Sequence, residues 1–396
     1  MQFLSRGSFW LMLNLAFFFL FNMAIVVVLS RRLSPDTYGH YQFVLSVLGL
    51  VSLFGLPGMR RAISQSLARN RDWALVQGVV ASLKTGILGA IVLGVVGLIY
   101  LLRGDATLGY TFFAIALPFI FYNPYLAVGS YFVGKEQFNR IAINTVAIYG
   151  TQAIAIIGVA WFIGSLQAIL VASLLSVGVS GYLTYRRVKK ALHPENTDPD
   201  VVRFGIKMSA IQILNVISTQ TDKIILFYFL TPAELAIYTI ALVFPENFTL
   251  LFDKVFTPLF FKKMTVHKPK DIFSELKKNL LVIVLGLIAS VVLLWVLVYW
   301  LIPLFFGDFY SSAIPYARVL LFIIPFSFFV NFFQSFFNAK KQVKTFFHFN
   351  TTISIVLIVL YCICIPLWGI WGAIISRIGF RLVSAVLGYW WGKKTT

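Results

Sequence analysis

Two cysteines and four histidines are very little to build with in a chain of 396 residues. Cys362 and Cys364 lie two apart inside one apolar run, which puts them on different faces of a helix. That leaves no disulfide framework and no metal-ligand cluster. His40, His193, His267 and His348 are scattered, and each reads as a loop or interface residue. Charge is scarce as well: 12% of residues are charged, where a soluble domain has about a quarter. Acids are the scarcer sign, 14 against 33 Lys and Arg. Short segments of alternating polarity are missing, which argues against a β-barrel. The first apolar run, from near Phe9, is too long for a signal-peptide core and has no clear small-residue cleavage site, so it reads as a retained helix.

Apolar residues are abundant, 59% of the chain, and they come in long runs. About 20 such residues cross a hydrocarbon core about 30 Å thick. Lipid offers the backbone no hydrogen-bond partner, so the runs must be helices. Twelve are expected, over 9–30, 38–58, 78–102, 109–134, 142–163, 165–185, 206–230, 233–258, 279–302, 313–338, 347–366 and 369–391. With the N-terminus inside, nearly all basic loop residues fall on the cytoplasmic side, among them Arg60, Arg61, Arg186, Arg187, Lys277, Lys278, Lys393 and Lys394. Only Arg31, Arg32 and Arg103 fall outside. Retention of Lys and Arg on the inner side then places both termini in the cytoplasm. It also explains the net charge of +19 without nucleic acid as a partner. Trp10, Tyr389, Trp390 and Trp391 sit where an aromatic belt is expected.

The halves resemble each other. Leu33-Ser34-Pro35 and Tyr41 recur as Leu230-Thr231-Pro232 and Tyr238, at a constant offset of 197. Lys135-Glu136-Gln137 is echoed by Lys340-Lys341-Gln342, and Pro118-Phe119 by Pro325-Phe326. The Pro57 to Arg60-Arg61 exit is echoed by Pro258 to Lys262-Lys263. Six helices per half keep both halves in one orientation, so the repeat is parallel, about an axis along the membrane normal. The expected architecture is an all-α polytopic membrane protein with twelve transmembrane helices, built as two parallel six-helix repeats around a central lumen. It divides into an N-terminal bundle, 1–185, a cytoplasmic linker, 186–205, and a C-terminal bundle, 206–396. Basic stretches at 59–77 and 259–278 read as amphipathic helices on the inner leaflet. External loops run to ten residues or fewer, too short for a domain holding a catalytic site.

Several ionisable residues lie inside the spans, where a charge costs roughly 2.5–3.5 kcal/mol at the bilayer centre. They are Lys84, Asp222, Lys223, Glu246, Asp253, Lys254, Arg318, Arg377 and Arg381, with Arg31 and Arg60 at helix ends. Bland readings cover some of them: Lys84 snorkels to the cytoplasmic interface, Arg31 and Arg60 follow topology, and Asp253-Lys254 is a structural pair. Glu246 is harder to dismiss, because it follows Pro245 near mid-membrane and proline removes a backbone donor. Arg377 and Arg381 share a helix face and cannot shed charge. The balance of buried charge is cationic and suits an anionic substrate, arginine being the better fork for phosphate. Arg31, Lys223, Arg318, Arg377 and Arg381 are therefore the candidate substrate-binding residues, and Asp222, Glu246 and Asp253 the candidates for proton or ion coupling. No cofactor, metal ligand or catalytic residue is expected.

Arg31-Arg32-Leu33-Ser34-Pro35-Asp36-Thr37-Tyr38-Gly39-His40-Tyr41 and Gln220-Thr221-Asp222-Lys223-Ile224-Ile225-Leu226 resemble the polysaccharide transporter family. These are the Wzx-type flippases of the multidrug/oligosaccharidyl-lipid/polysaccharide exporter superfamily. Ala236 departs from the glycine usual before Tyr in that family. The resemblance spans the chain and implies a substrate: an undecaprenyl-pyrophosphate-linked oligosaccharide repeat unit, moved from the cytoplasmic to the periplasmic leaflet of a bacterial inner membrane for O-antigen or related lipopolysaccharide assembly. It implies alternating access by a monomer in contact with membrane lipids, with a polysaccharide polymerase and a chain-length regulator as further partners. A drug/cation antiporter shares the fold, but a cationic lumen would repel its substrates. A membrane-embedded glycan polymerase or glycosyltransferase would need acid/base residues on a sizeable external loop. A scaffold for other polysaccharide proteins would leave the buried charges without a purpose.

Overall fold

Leu33-Ser34-Pro35 and Leu230-Thr231-Pro232, the clearest match between the halves, are both helix starts. Ser34 is an N-cap whose Oγ accepts from the Thr37 N–H at 3.2 Å, and Pro35 opens the helix where no N–H is needed. In the second copy Thr231 Oγ1 accepts from the Glu234 N–H at 3.3 Å, and Glu234 Oε2 accepts from the Thr231 N–H at 2.9 Å. That is a reciprocal capping box. The Lys135 and Lys340 echoes are matched helix ends: the N–H of Gln137 returns to the Phe132 carbonyl, and that of Gln342 to the Phe337 carbonyl, both at 2.9 Å. The repeat is thus recorded in the caps that start and stop helices.

The structure is a computed structural model describing residues 6–266, 269–340 and 342–394; the side chains of 6–8, 252–263, 266, 269, 270, 343, 344 and 394 lie outside the description. Among the described residues there is no strand. The helices are α1 (Arg6–Arg32), α2 (Pro35–Val51), α3 (Met59–Ala68), α4 (Ala74–Leu102), α5 (Ala106–Leu126), α6 (Gly129–Gly134), α7 (Phe138–Thr145), α8 (Thr151–Phe162), α9 (Leu166–Lys189), α10 (Val201–Phe229), α11 (Pro232–Val266), α12 (Pro269–Phe306), α13 (Ile314–Leu320), α14 (Ile323–Ala339) and α15 (Val343–Lys394). Nine helices are long and apolar enough to cross a membrane among the described residues, and eleven if each of two bent pairs counts as one span.

The bends have local causes. The expected span 38–58 breaks after a 3-10 turn, Ser52–Gly55, where Leu56 adopts a left-handed φ of 54° ahead of Pro57, and α3 leaves at 44°. The expected span 313–338 is two pieces bent by 48°. Pro325 stands in the first turn of the second piece, where its missing N–H costs nothing. In α15 the break is sharper. Gly369 has φ 56° and ψ −128°, outside helical values, and divides α15 into two limbs. A Cβ on Gly372 would lie 2.0 Å from the Cys364 carbonyl oxygen, so the limbs close on each other directly behind the turn. Counting those limbs separately, the spans among the described residues reach the twelve expected.

The two basic stretches differ from each other. The first holds α3, which buries Met59, Ala62, Ile63 and Leu67 while Arg60 and Arg61 stay exposed. The second does not begin as a separate helix: α11 runs on to Val266, and the side chains of Lys262 and Lys263 lie outside the described residues.

The chain forms two units, Met1–Val216 and Ile217–Thr396, and the division falls inside α10 rather than at the linker. The linker itself explains this, because it is bound to the N-terminal unit. Asp198, only 5% exposed, accepts from Ser66 Oγ and from Arg71 Nη1, each at 2.7 Å, and its N–H donates to Gln77 Oε1 at 3.0 Å. The Trp73 N–H donates to the Asn196 carbonyl at 3.0 Å. Burial works to raise the Asp198 pKa, but the hydrogen bonds from Ser66, the Asp200 N–H and Arg71 outweigh it and hold the carboxyl below the ordinary range. The Gly58 N–H donates to Ser209 Oγ at 3.0 Å, and Gly205 leaves room for Met59. Val201 joins Met59, Ile63, Leu67 and Val128 in one buried core. Within the C-terminal unit, Phe332, Phe333, Phe336, Phe337 and Phe349 form a second core, so much of the aromatic content is packing.

Candidate functional site

The C-terminal unit holds a buried ion-pair cluster built from three helices. α10 supplies Asp222, α11 supplies Tyr238 and Glu246, and the second limb of α15 supplies Arg377. Arg377 Nη2 and Nε donate to Asp222 Oδ2 at 2.6 and 3.1 Å. Its Nη1 donates to Glu246 Oε1. Tyr238 Oη donates to the same Asp222 oxygen at 2.7 Å, and the Arg377 guanidinium stands 5.9 Å from the Tyr238 ring centroid. Tyr361, buried on the first limb of α15, lies beside the same guanidinium. The Gly369 turn is what returns Arg377 to the level of Tyr361.

The carboxylates are not equivalent. The Asp222 side chain is 0% exposed and Arg377 12%, whereas Glu246 is 48% exposed. A buried carboxylate requires a partner, and Asp222 has one fixed from two sides by Arg377 and Tyr238. Its Oδ1 has no hydrogen-bond partner. Glu246 is the outlying, accessible member. It follows Pro245, so the proline beside a membrane carboxylate stands beside the cluster.

Around this core lie two further cations. Arg381, one turn beyond Arg377, donates to Ser327 Oγ on α14 and feels both Arg377 and Glu246. Lys223, half-buried next to Asp222, acts on Asp222 and Glu246 through space. Among the described residues three cations face two carboxylates, leaving one net positive charge. The count of buried charge in the sequence is more strongly cationic than this, because it cannot show that Arg377 is already held by two acids.

The other candidates are elsewhere. Arg318 packs on α12: its guanidinium lies 3.9 Å from the Trp295 ring centroid and its Nε donates to the Trp295 carbonyl at 3.2 Å. It joins none of the cluster's ion pairs. Arg31 is exposed in the last turn of α1, in the N-terminal unit, and its neighbour Arg32 stacks 3.4 Å from the Trp161 ring centroid. Basic groups at a helix C-terminus also meet the negative end of its dipole. Lys84 is exposed on α4. The Asp253 side chain, expected on the face of Glu246, lies outside the described residues.

A search for charge overlooks the polar groups of the N-terminal unit, which are mostly neutral. Thr145 donates to Asn14, and Gln152 donates to Ser173 at 2.9 Å, each within membrane helices. Arg60 acts on Tyr122 and Tyr149, and Tyr149 packs edge-on against Phe18 at 4.9 Å. The signal was present in the sequence as amides and tyrosines inside apolar runs. It carries no charge and so does not stand out.

A family model described as polysaccharide biosynthesis protein matches residues 28–315, which is most of the chain and spans both units. The chain belongs to the polysaccharide biosynthesis protein family. The chain has the fold of transporters of the MOP superfamily. An inward-facing MATE multidrug resistance transporter of that superfamily is 14% identical over 95% of this chain and 94% of its own, with a TM-score of 0.72. An outward-facing MATE transporter gives 16% identity, 98% and 94% coverage and a TM-score of 0.64. A MOP superfamily transporter from Pyrococcus furiosus gives 15%, 98%, 94% and 0.65. No curated protein sequence matches the chain.

Proposed function

We propose that this protein is a flippase that carries a polyprenyl-pyrophosphate-linked oligosaccharide repeat unit from the cytoplasmic to the periplasmic leaflet of a bacterial inner membrane. The product would supply O-antigen or a related surface polysaccharide. The observation that carries the reading is the match to a polysaccharide biosynthesis family, on a chain with the fold of membrane transporters. The cluster fits it chemically. Among the described residues, Arg381 and Lys223 offer positive charge not held by a carboxylate hydrogen bond, and a pyrophosphate is the part of the substrate most costly to bring into a membrane. Arg377 is the exchangeable member of the set: a phosphate oxygen can take the place of half-exposed Glu246 while Asp222 stays in place. Glu246, once released, is the group able to take up a proton or cation, which gives Asp222 and Glu246 separate tasks in coupling. The tyrosines and amides of the N-terminal unit suit the sugars, which hydrogen-bond and stack without charge.

The fold also supports a second reading, export of cationic drugs, since MATE transporters share it. The net positive charge of the cluster speaks against that substrate. The Pyrococcus furiosus transporter was itself described as having a binding pocket of reverse polarity that suggests a different function.

The test is complementation of a flippase-deficient strain, followed by leaflet-to-leaflet transfer of a labelled polyprenyl-pyrophosphate oligosaccharide in proteoliposomes. The expected result is restored surface glycan and transfer lost in Arg381→Gln. Transfer absent for every lipid-linked sugar tried, together with drug resistance conferred on the host, would overturn the flippase reading in favour of the antiporter.

A further inference from the structure

A groove with a volume of 590 Å³ runs along the C-terminal unit between α12, α14 and the second limb of α15. Its size is that of a small-molecule site. Of the residues that line it, only Lys277 and Tyr389 are polar. The groove has a direction. Leu276 and Lys277 begin its α12 wall and Ile288 ends it, about 18 Å on from Leu276 at 1.5 Å per residue. Phe273, one turn before Lys277, packs against Tyr389 at 6.2 Å, so Lys277 and Tyr389 share one end. At the other end are Pro325 and Leu382, next in sequence to residues around Ser327 and Arg381. Lys277 and Lys278 are exposed, and Tyr389 is 42% exposed.

We propose that this groove binds one acyl chain of an anionic phospholipid from the cytoplasmic leaflet, with its phosphate against Lys277 and Lys278. The lining excludes a polar ligand, because a hydroxyl or sugar buried there would find no hydrogen-bond partner. Lys277 at its mouth, with exposed Lys278 next to it in the chain, supplies charge complementarity to an anionic headgroup. Tyr389 marks that mouth as the interfacial level, where amphipathic rings settle. The length of the groove matches part of one leaflet of a hydrocarbon core about 30 Å thick, so a chain entering at the mouth stays within its own leaflet. The site is distinct from the ion-pair cluster, since Leu382, Ala385 and Val386 face the groove while Arg377 and Arg381 face the cluster. It holds whichever substrate the protein carries.

The experiment uses the full chain in nanodiscs with photoactivatable phosphatidylglycerol or phosphatidylcholine, each bearing a diazirine in its acyl chain. Cross-linked peptides are read by mass spectrometry. The expected result is labelling concentrated on 276–288, 325–333 and 382–389, stronger with phosphatidylglycerol. Each lysine near an anionic surface is worth about fivefold in affinity. Lys277→Gln/Lys278→Gln should therefore bring the two lipids to equal labelling. Ala385→Phe and, from the opposite wall, Val284→Phe should abolish labelling of these peptides while leaving it elsewhere. A melting curve unchanged in at least one of the two variants shows that filling the groove, not unfolding, removed the lipid. Equal labelling by both lipids in the unaltered protein would overturn the proposal. So would displacement of phosphatidylglycerol by stoichiometric polyprenyl phosphate, which would assign the groove to the substrate tail.

Discussion

Removing the guanidinium of Arg377 tests the cluster most directly. Arg377→Gln deletes two hydrogen bonds to Asp222 and one to Glu246. Asp222 is 0% exposed, so its charge is left in the protein interior with only Tyr238 donating to it. Breaking a buried pair from one side costs about 3–5 kcal/mol. Neutralisation offers no cheaper route, because protonating an ordinary aspartate at pH 7 costs about 4 kcal/mol. Glu246→Gln is the contrast. That carboxylate is 48% exposed, and screened pairs contribute about 0–1 kcal/mol. The double variant Arg377→Gln/Asp222→Asn removes both buried charges and should lie about 2 kcal/mol above the sum of its singles, within the range for contacting residues. The assay is equilibrium unfolding in mixed micelles for the unaltered protein, the three single variants Arg377→Gln, Asp222→Asn and Glu246→Gln, and the double variant. Equal costs for Arg377→Gln and Glu246→Gln, or strict additivity in the double variant, would refute the assignment of Asp222 as the fixed partner.

Other outcomes follow from single features. Arg377→Lys should fold better than Arg377→Gln but fail to restore transport, since one ammonium cannot reproduce a fork aimed at two carboxylates; complementation reads this. Gly372→Ala places a methyl 2.0 Å from the Cys364 carbonyl oxygen and should cost about 1–3 kcal/mol, seen as a lowered melting temperature. Thr231→Ala loses the capping box of α11 and should cost about 1 kcal/mol. Asp198→Asn should loosen the linker by about 1–2 kcal/mol and expose Lys189 and Lys190 to trypsin at neutral pH. The Asp198 pKa is lowered in the folded protein, so its contribution is complete above the unfolded value near 4 and is lost only as pH falls through the folded value. Trypsin-like resistance of the linker should thus be flat from pH 7 to about pH 5, and fail only in stronger acid, read with an acid protease.

The sequence by itself determined the number of spans and most of their limits, because twenty apolar residues in lipid have only one backbone solution. It also showed the duplication, since helix starts such as Leu33-Ser34-Pro35 and Leu230-Thr231-Pro232 depend on local cap chemistry. It placed Asp222, Glu246, Arg377 and Arg381 within the membrane, because hydropathy is a local property. Partnership was not local. Asp222 and Arg377 are 155 residues apart, and only the packing of α10, α11 and the reversed limb of α15 brings them together. The same packing turned Arg318 toward Trp295 and away from the cluster, though its span and charge looked equivalent. It also drew the polar linker onto the N-terminal unit through Asp198 and its partners Ser66 and Arg71. Membrane depth is written in the order of residues, whereas the pairing of charges depends on which helix faces are buried against each other.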